Sequence, residues 1–150
     1  MSPPGPQPFH GTCIAIGPHG VLLRGPSGAG KSDLALRLID RGALLVADDQ
    51  VLIEPGPDAP LARAPDNLRG LIEVRGLGIV TLAPIREMAA LRLVVDLAPP
   101  DAIARLPEAQ TTVLADMILS RIALTPFEAS APKKVELALA AATGALKVIR

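Results

Sequence analysis

Apolar and polar stretches alternate along the chain in short elements punctuated by glycine and proline. Residues 13–16 and 21–24 are strand-type apolar runs separated by Gly17, Pro18, His19 and Gly20, which predicts a β-hairpin. After a glycine-rich stretch, Leu34, Leu38 and Arg41 recur at helical spacing, with Leu36 and Ile39 beside them. This predicts a helix over 33–41 with Gly42 as its C-cap. Residues 43–47 are continuously apolar and end in Asp48 and Asp49, so they read as a buried strand whose carboxyl end carries two acids. Residues 51–54 are expected to be that strand's hairpin partner.

Prolines 55, 57, 60 and 65 make residues 55–70 a surface loop with one short strand near Leu61. Residues 71–74 and 79–83 are β-like and joined through Gly76 and Gly78. Residues 92–97 and 122–125 are further strands, with a proline-rich loop over 98–110. A last helix opens at Ser130 or Ala131 with Pro132 in its first turn, runs to about Thr143 and closes at Gly144. Residues 1–9 are expected to be a flexible lead and residues 10–150 one domain.

Composition narrows the class. At 150 residues, 49% apolar and 20% charged, the chain has the make-up of one folded domain rather than a disordered segment. Fifteen basic residues balance fifteen acidic ones, which removes global steering toward nucleic acid. No Trp, no Tyr and only two Phe leave no base-stacking platform of the single-strand-binding kind. No apolar run reaches the ~18 residues of a membrane span, and the proline-rich start lacks the features of a signal peptide. The single Cys13 cannot form an internal disulfide. The expectation is a cytoplasmic protein without membrane or nucleic-acid partners.

The chemistry begins at Gly25, Pro26, Ser27, Gly28, Ala29, Gly30, Lys31 and Ser32, which match G-x-x-x-x-G-K-S/T at every fixed position between a strand and a helix. Glycines there let successive N–H groups point at phosphate oxygens, and the helix N-terminus adds partial positive charge. Lys31 is expected to reach the outer phosphates and Ser32 to ligate Mg²⁺.

Asp48 and Asp49 lie 17 and 18 residues after Lys31. Ligands of open α/β sheets sit off the carboxyl ends of strands, so both acids are expected to face the phosphates. One can hold Mg²⁺ and the other can accept a proton from an incoming hydroxyl. Many P-loop proteins carry their metal-side acid much further along the chain. An acidic pair one helix after the loop points to a compact kinase of different topology.

Residues 23–51, with this P-loop and Leu45-Val46-Ala47-Asp48-Asp49, resemble the catalytic domain of HPr kinase/phosphorylase. Leu71-Ile72-Glu73-Val74-Arg75-Gly76-Leu77-Gly78-Ile79-Val80 is similar to that family's signature, and His10-Gly11 also fits. The anchors span roughly residues 9–144. The resemblance implies an α/β P-loop kinase domain with a mixed β-sheet, related in architecture to phosphoenolpyruvate carboxykinase. It also implies a bacterial, cytoplasmic, ATP- and Mg²⁺-dependent protein-serine kinase. Its substrate would be HPr, the small phosphocarrier of the phosphotransferase system. Many members run the reverse reaction with inorganic phosphate and release pyrophosphate, and the family typically forms hexamers.

The resemblance also assigns roles by position. His10, Lys31, Asp49 and Arg105 match catalytic residues, with Asp49 exchanging the serine proton and Arg105 reaching the transferred phosphoryl group. Glu73 matches a Mg²⁺ ligand beside Ser32, and Asp48 supports Asp49 or approaches the metal. Arg75 and Gly76 fall in the loop assigned to both reaction directions.

The chain departs from the family in three ways. Family members carry an N-terminal domain of more than a hundred residues, whereas this chain starts almost at His10 and is expected to be the catalytic domain alone, a short form. The segment between the signature and the strand at Arg92 is short. A late Pro-Val-Arg-Pro-Gly-Arg loop, tied to dephosphorylation, is here Pro126-Phe127-Glu128-Ala129-Ser130-Ala131. With both arginines gone, phosphorylase activity is placed in doubt, and Lys133 and Lys134 are the nearest substitutes. Two other readings of the same residues are a small-molecule P-loop kinase and a nucleotide-binding regulatory module with little turnover.

Overall fold

The structure is a computed structural model that describes residues 5–150. The chain opens with β1 (Gln7–His10), β2 (Thr12–Ile16) and β3 (His19–Arg24). The P-loop and helix α1 (Lys31–Asp40) follow, then β4 (Leu44–Ala47), β5 (Gln50–Glu54) and β6 (Leu61–Arg63). A separate two-stranded hairpin is made of β7 (Leu71–Val74) and β8 (Gly78–Thr81). The chain ends with β9 (Met88–Leu97), β10 (Gln110–Leu114), β11 (Met117–Leu124) and helix α2 (Ala131–Ala142).

Nine strands form one mixed sheet in the order β1-β5-β6-β9-β3-β2-β4, with β11 parallel to the second half of β9 and β10 antiparallel to β11. The predicted hairpin is β2 and β3, paired antiparallel from Thr12 with Leu23 to Ile16 with His19. β4 runs antiparallel to β2 and hence in the same direction as β3. The carboxyl ends of β3 and β4 therefore open on the same side of the sheet.

β3 and β9 are buried on both faces, which is why Val21, Leu22 and Leu23 and then Leu93, Val94 and Val95 are continuous apolar runs. On one face Ile14, Val21, Leu23, Leu93 and Val95 pack against Leu34 and Leu38 of α1 and Val135 and Leu139 of α2. On the other, Cys13, Leu22, Val46, Val51, Ile53 and Val94 form a second cluster. Burial pushes the Cys13 thiol up to about 12, because a thiolate there would have no water.

Asp96 ties three neighbouring strands together. Its carboxylate takes two bonds from Arg24 at 2.7 and 2.9 Å and one from Arg121 Nε at 2.6 Å. Burial alone raises its pKa, but the two guanidinium groups overcome this and hold Asp96 below the ordinary carboxylate value.

Two expectations need correction. Val51 to Glu54 do not pair with β4; β5 pairs with β1 on one edge and β6 on the other. The flexible lead expected over residues 1–9 does not extend over Gln7 to Phe9, because Gln7–His10 form β1 in register with Gln50 to Ile53. The remainder of that expectation, residues 1–4, lies outside the described residues.

Candidate active site

The P-loop turns the end of β3 into α1. Gly30 is the helix N-cap with φ +98°, a conformation L side chains avoid, and it makes no side-chain cap. A Cβ at Gly30 would also stand 2.9 Å from the ring of Phe127. Glycine is thus needed for the turn, and an added Cβ would also push the Phe127 ring aside. The first-turn amides of α1 have no carbonyl partner within their own helix and point out of its N-terminus.

Lys31 is buried and folds back along its own loop. Its Nζ donates to Gly25 O at 2.7 Å and Pro26 O at 3.0 Å. Burial lowers the pKa of its ammonium, and the nearby charges of Asp48 and Asp49 pull in the opposite direction. Both acids lie at the end of β4, as the spacing predicts.

Asp48 is buried and fully engaged. Its Oδ1 accepts from Thr12 Oγ1 and from Ser32 Oγ, each at 2.8 Å, while its Oδ2 accepts from the Glu73 backbone N–H at 3.0 Å. One carboxylate thus joins β2, the P-loop, β4 and the β7–β8 hairpin. Asp49 differs in kind. Its φ is +70°, its side chain is 71% exposed, and its carbonyl accepts from Gly11 N at 3.2 Å. A turn closed by Gln50 N on Asp48 O at 2.8 Å presents it outward. A non-glycine residue in that region beside a phosphate loop is strain placed where chemistry needs a fixed direction. His10 Nδ1 lies 3.6 Å from Asp49 Oδ1.

These groups line one cleft of about 330 Å³. His10, Lys31, Ser32, Asp48, Asp49 and Glu73, all named from the sequence, face it, as do Ser27, Gly28 and Gly30 of the loop. Arg105 does not. It is exposed on the segment between Ala102 and Gln110 and is absent from the cleft lining. The cation that does line the cleft beside Glu73 is Arg75, carried by the β7–β8 hairpin. Thr12, which fixes Asp48, was not signalled by any motif. A threonine in a buried strand reads as packing until its partner, 36 residues away, is known.

The altered loop after β11 is held by α1. Arg37 donates to the backbone carbonyls of Pro126 and Glu128, on either side of Phe127. Lys134 is paired with Glu128 at 3.2 Å, and Lys133 lies 3.9 Å from Glu136. Both lysines therefore face acids of their own neighbourhood.

The family model described as HPr Serine kinase C-terminal domain matches residues 6–123. The chain belongs to that family. Curated relatives agree: the HPr kinase/phosphorylase of Burkholderia lata is 42% identical over 126 residues, covering 77% of this chain and 39% of its own. That of Burkholderia cenocepacia is 41% identical over the same span and coverage. The chain thus spans about two fifths of the length of these HPr kinase/phosphorylase relatives. Among solved structures, the Hpr(Ser) kinase/phosphatase from Coxiella burnetii superposes with a TM-score of 0.76 at 26% identity. It covers 87% of this chain and 91% of that one. The fold is accordingly that of a P-loop kinase-type α/β domain with a mixed sheet.

Proposed function

We propose that this chain is a protein-serine kinase that moves the terminal phosphoryl group of ATP to a serine hydroxyl of HPr and so regulates the bacterial phosphotransferase system. The observation that carries the reading is the pairing of a P-loop with two unlike aspartates. Asp48 is buried and bonded to the P-loop Ser32, and Asp49 is exposed and aimed into the same cleft.

The site's donors suit Mg²⁺. The carboxylates of Asp48 and Glu73 and the hydroxyls of Ser32 and Thr12 are hard oxygen ligands, and Mg²⁺ is normally held by one or two carboxylates plus substrate phosphates. Among the described residues no group of three or more His, Cys, Asp or Glu side chains is placed to hold a metal ion. When bound, Mg²⁺ neutralises charge on the phosphate oxygens. Ser32, Asp48 and Glu73 would hold it.

The chain's own groups perform the rest. Amides of residues 27–32 cradle the phosphates, and Lys31 exchanges its two loop carbonyls for phosphate oxygens. The acceptor serine enters beside Asp49. Its oxygen forms a bond to the terminal phosphorus as the bond to the bridging oxygen breaks and ADP leaves. Asp49 takes the hydroxyl proton, with His10 standing 3.6 Å from that carboxylate. Arg75 is the cation placed to meet charge on the transferred group.

In the reverse direction inorganic phosphate would need its own cationic seat. The 126–131 loop offers Glu128, already paired with Lys134, so the forward reaction dominates in this reading. The test incubates the protein with Mg²⁺, labelled ATP and HPr of the same bacterium and reads phosphoserine by mass spectrometry. Phosphoserine is the expected product. Tight ATP binding with no transfer to HPr would overturn the proposal in favour of a regulatory module or another acceptor. Phosphoserine-HPr with inorganic phosphate is expected to react far more slowly.

A further inference from the structure

A second depression, of about 340 Å³, lies across the P-loop from the acids. Its walls are Pro26 and Ala29 of the loop, Leu97 at the end of β9 and Pro99 beyond it, and Pro126 and Phe127 after β11. They are almost wholly apolar. The hydroxyl of Thr125 in its lining is already given to Ala98 O at 3.1 Å. β3 stands between β2 and β9 in the sheet, so the two depressions flank the P-loop on opposite sides. The acidic cleft lies toward β4 and the apolar slot toward β9 and β11.

Phe127 is the wall they share, since it lines both. It is 68% exposed, yet its backbone is fixed by the two Arg37 contacts and its ring rests on Gly30. A large aromatic face is therefore carried on a pinned backbone and left bare beside a phosphate loop.

We infer that the slot between Phe127 and Pro99 seats the nucleobase of the nucleotide whose phosphates occupy the P-loop. The inference rests on the P-loop reading above and adds where the other end of the donor goes. A nucleoside triphosphate is polar in this same sense, with a multiply charged end for the cationic loop and acids' metal, and a flat apolar ring at the other. The slot adjoins the phosphate cleft at Phe127, and its volume suits a single ring system with part of its sugar. Stacking on an aromatic face is the recognition such walls offer.

The test uses the full chain, which has no Trp and no Tyr. Phe127→Trp therefore introduces a sole indole reporter at the slot. With Mg²⁺ present, ATP is expected to quench or shift its emission and tripolyphosphate to leave it nearly unchanged while still binding by calorimetry. In parallel, Phe127→Ala is expected to weaken ATP about tenfold and tripolyphosphate less than twofold. An indole signal identical for ATP and tripolyphosphate, or equal weakening of both by Phe127→Ala, would overturn the base-slot assignment. The slot would then be left to another occupant, such as an apolar side chain of the acceptor protein. Failure of both ligands to bind the unaltered chain would instead overturn the P-loop reading beneath it. Phe127→Trp retains the ring, so a fold-related loss in Phe127→Ala would be recognised by its absence there.

Discussion

Ser32 Oγ donates to Asp48 Oδ1 at 2.8 Å, so the last residue of the P-loop motif is locked to the end of β4. The same carboxylate receives Thr12 and the Glu73 amide. Asp48→Ala would leave three donors without their shared partner, of which the Thr12 hydroxyl is buried and the other two partly so, at a cost of about 2–3 kcal/mol. Urea denaturation is the check. Asp48→Asn keeps one acceptor oxygen, so it is expected to fold but to lose the gain in ATP affinity that Mg²⁺ provides. Calorimetry with and without Mg²⁺ reads that difference.

Asp49 is exposed and touches the site only through its carboxylate. Asn tolerates the left-handed backbone that Asp49 adopts. Asp49→Asn is therefore expected to bind ATP within about twofold of the unaltered chain and to transfer phosphate about a thousandfold more slowly. Near-normal transfer would remove the proton-acceptor role.

At Gly30 a backbone cost coincides with a displaced ring. An alanine at φ +98° is strained by roughly 1–2 kcal/mol, and its Cβ meets Phe127 at 2.9 Å. Gly30→Ala is expected to lower Tm and to abolish detectable ATP binding. Gly42→Ala, with a similar backbone strain and nothing within 4 Å, is the control. It should lower Tm while leaving ATP affinity intact.

Asp96 gives the chain a piece of acid sensitivity with a definite sign. Its folded pKa lies below the reference value of 3.8, so its stabilisation is complete above that value. The contribution is lost as pH falls through the folded-state value. Asp96→Asn should cost about 2 kcal/mol at pH 7, since two guanidinium groups lose a shared partner. The gap between variant and parent should narrow as the pH is taken below 3.8. Stability measured across pH 7 to 2 would show it, and a constant gap would exclude this linkage.

The P-loop and the acidic pair were legible because their geometry is local. Fixed glycine spacing determines the loop, and the apolar run from Ala43 determines which strand end bears the acids. What escaped depends on distant partners. β5 pairs with β1 because Pro8 and Phe9 lie opposite Leu52 and Val51, and nothing within 51–54 announces that. β9 begins at Met88 although Ala89 and Ala90 are poor strand formers, since β6 and β3 pair both of its edges there. The β10–β11 hairpin was hidden because its turn uses Ala115 and Asp116 at positive φ instead of the Asn-Gly pair that usually signals one. Arg105 was named by resemblance alone, and no packing in its segment directs it to the cleft. Arg75, in the signature hairpin, is the cation the fold delivers there.

Cys13 sits in β2 with no accessible surface, and its thiol is held protonated at any physiological pH. It is the chain's only sulfhydryl. An alkylating reagent has nothing to attack until β2 leaves its neighbours β3 and β4. The rate at which Cys13 becomes labelled thus clocks the opening of the strands that frame the P-loop, and bound nucleotide should slow that clock. The chain carries its own conformational timer, with no engineered label required.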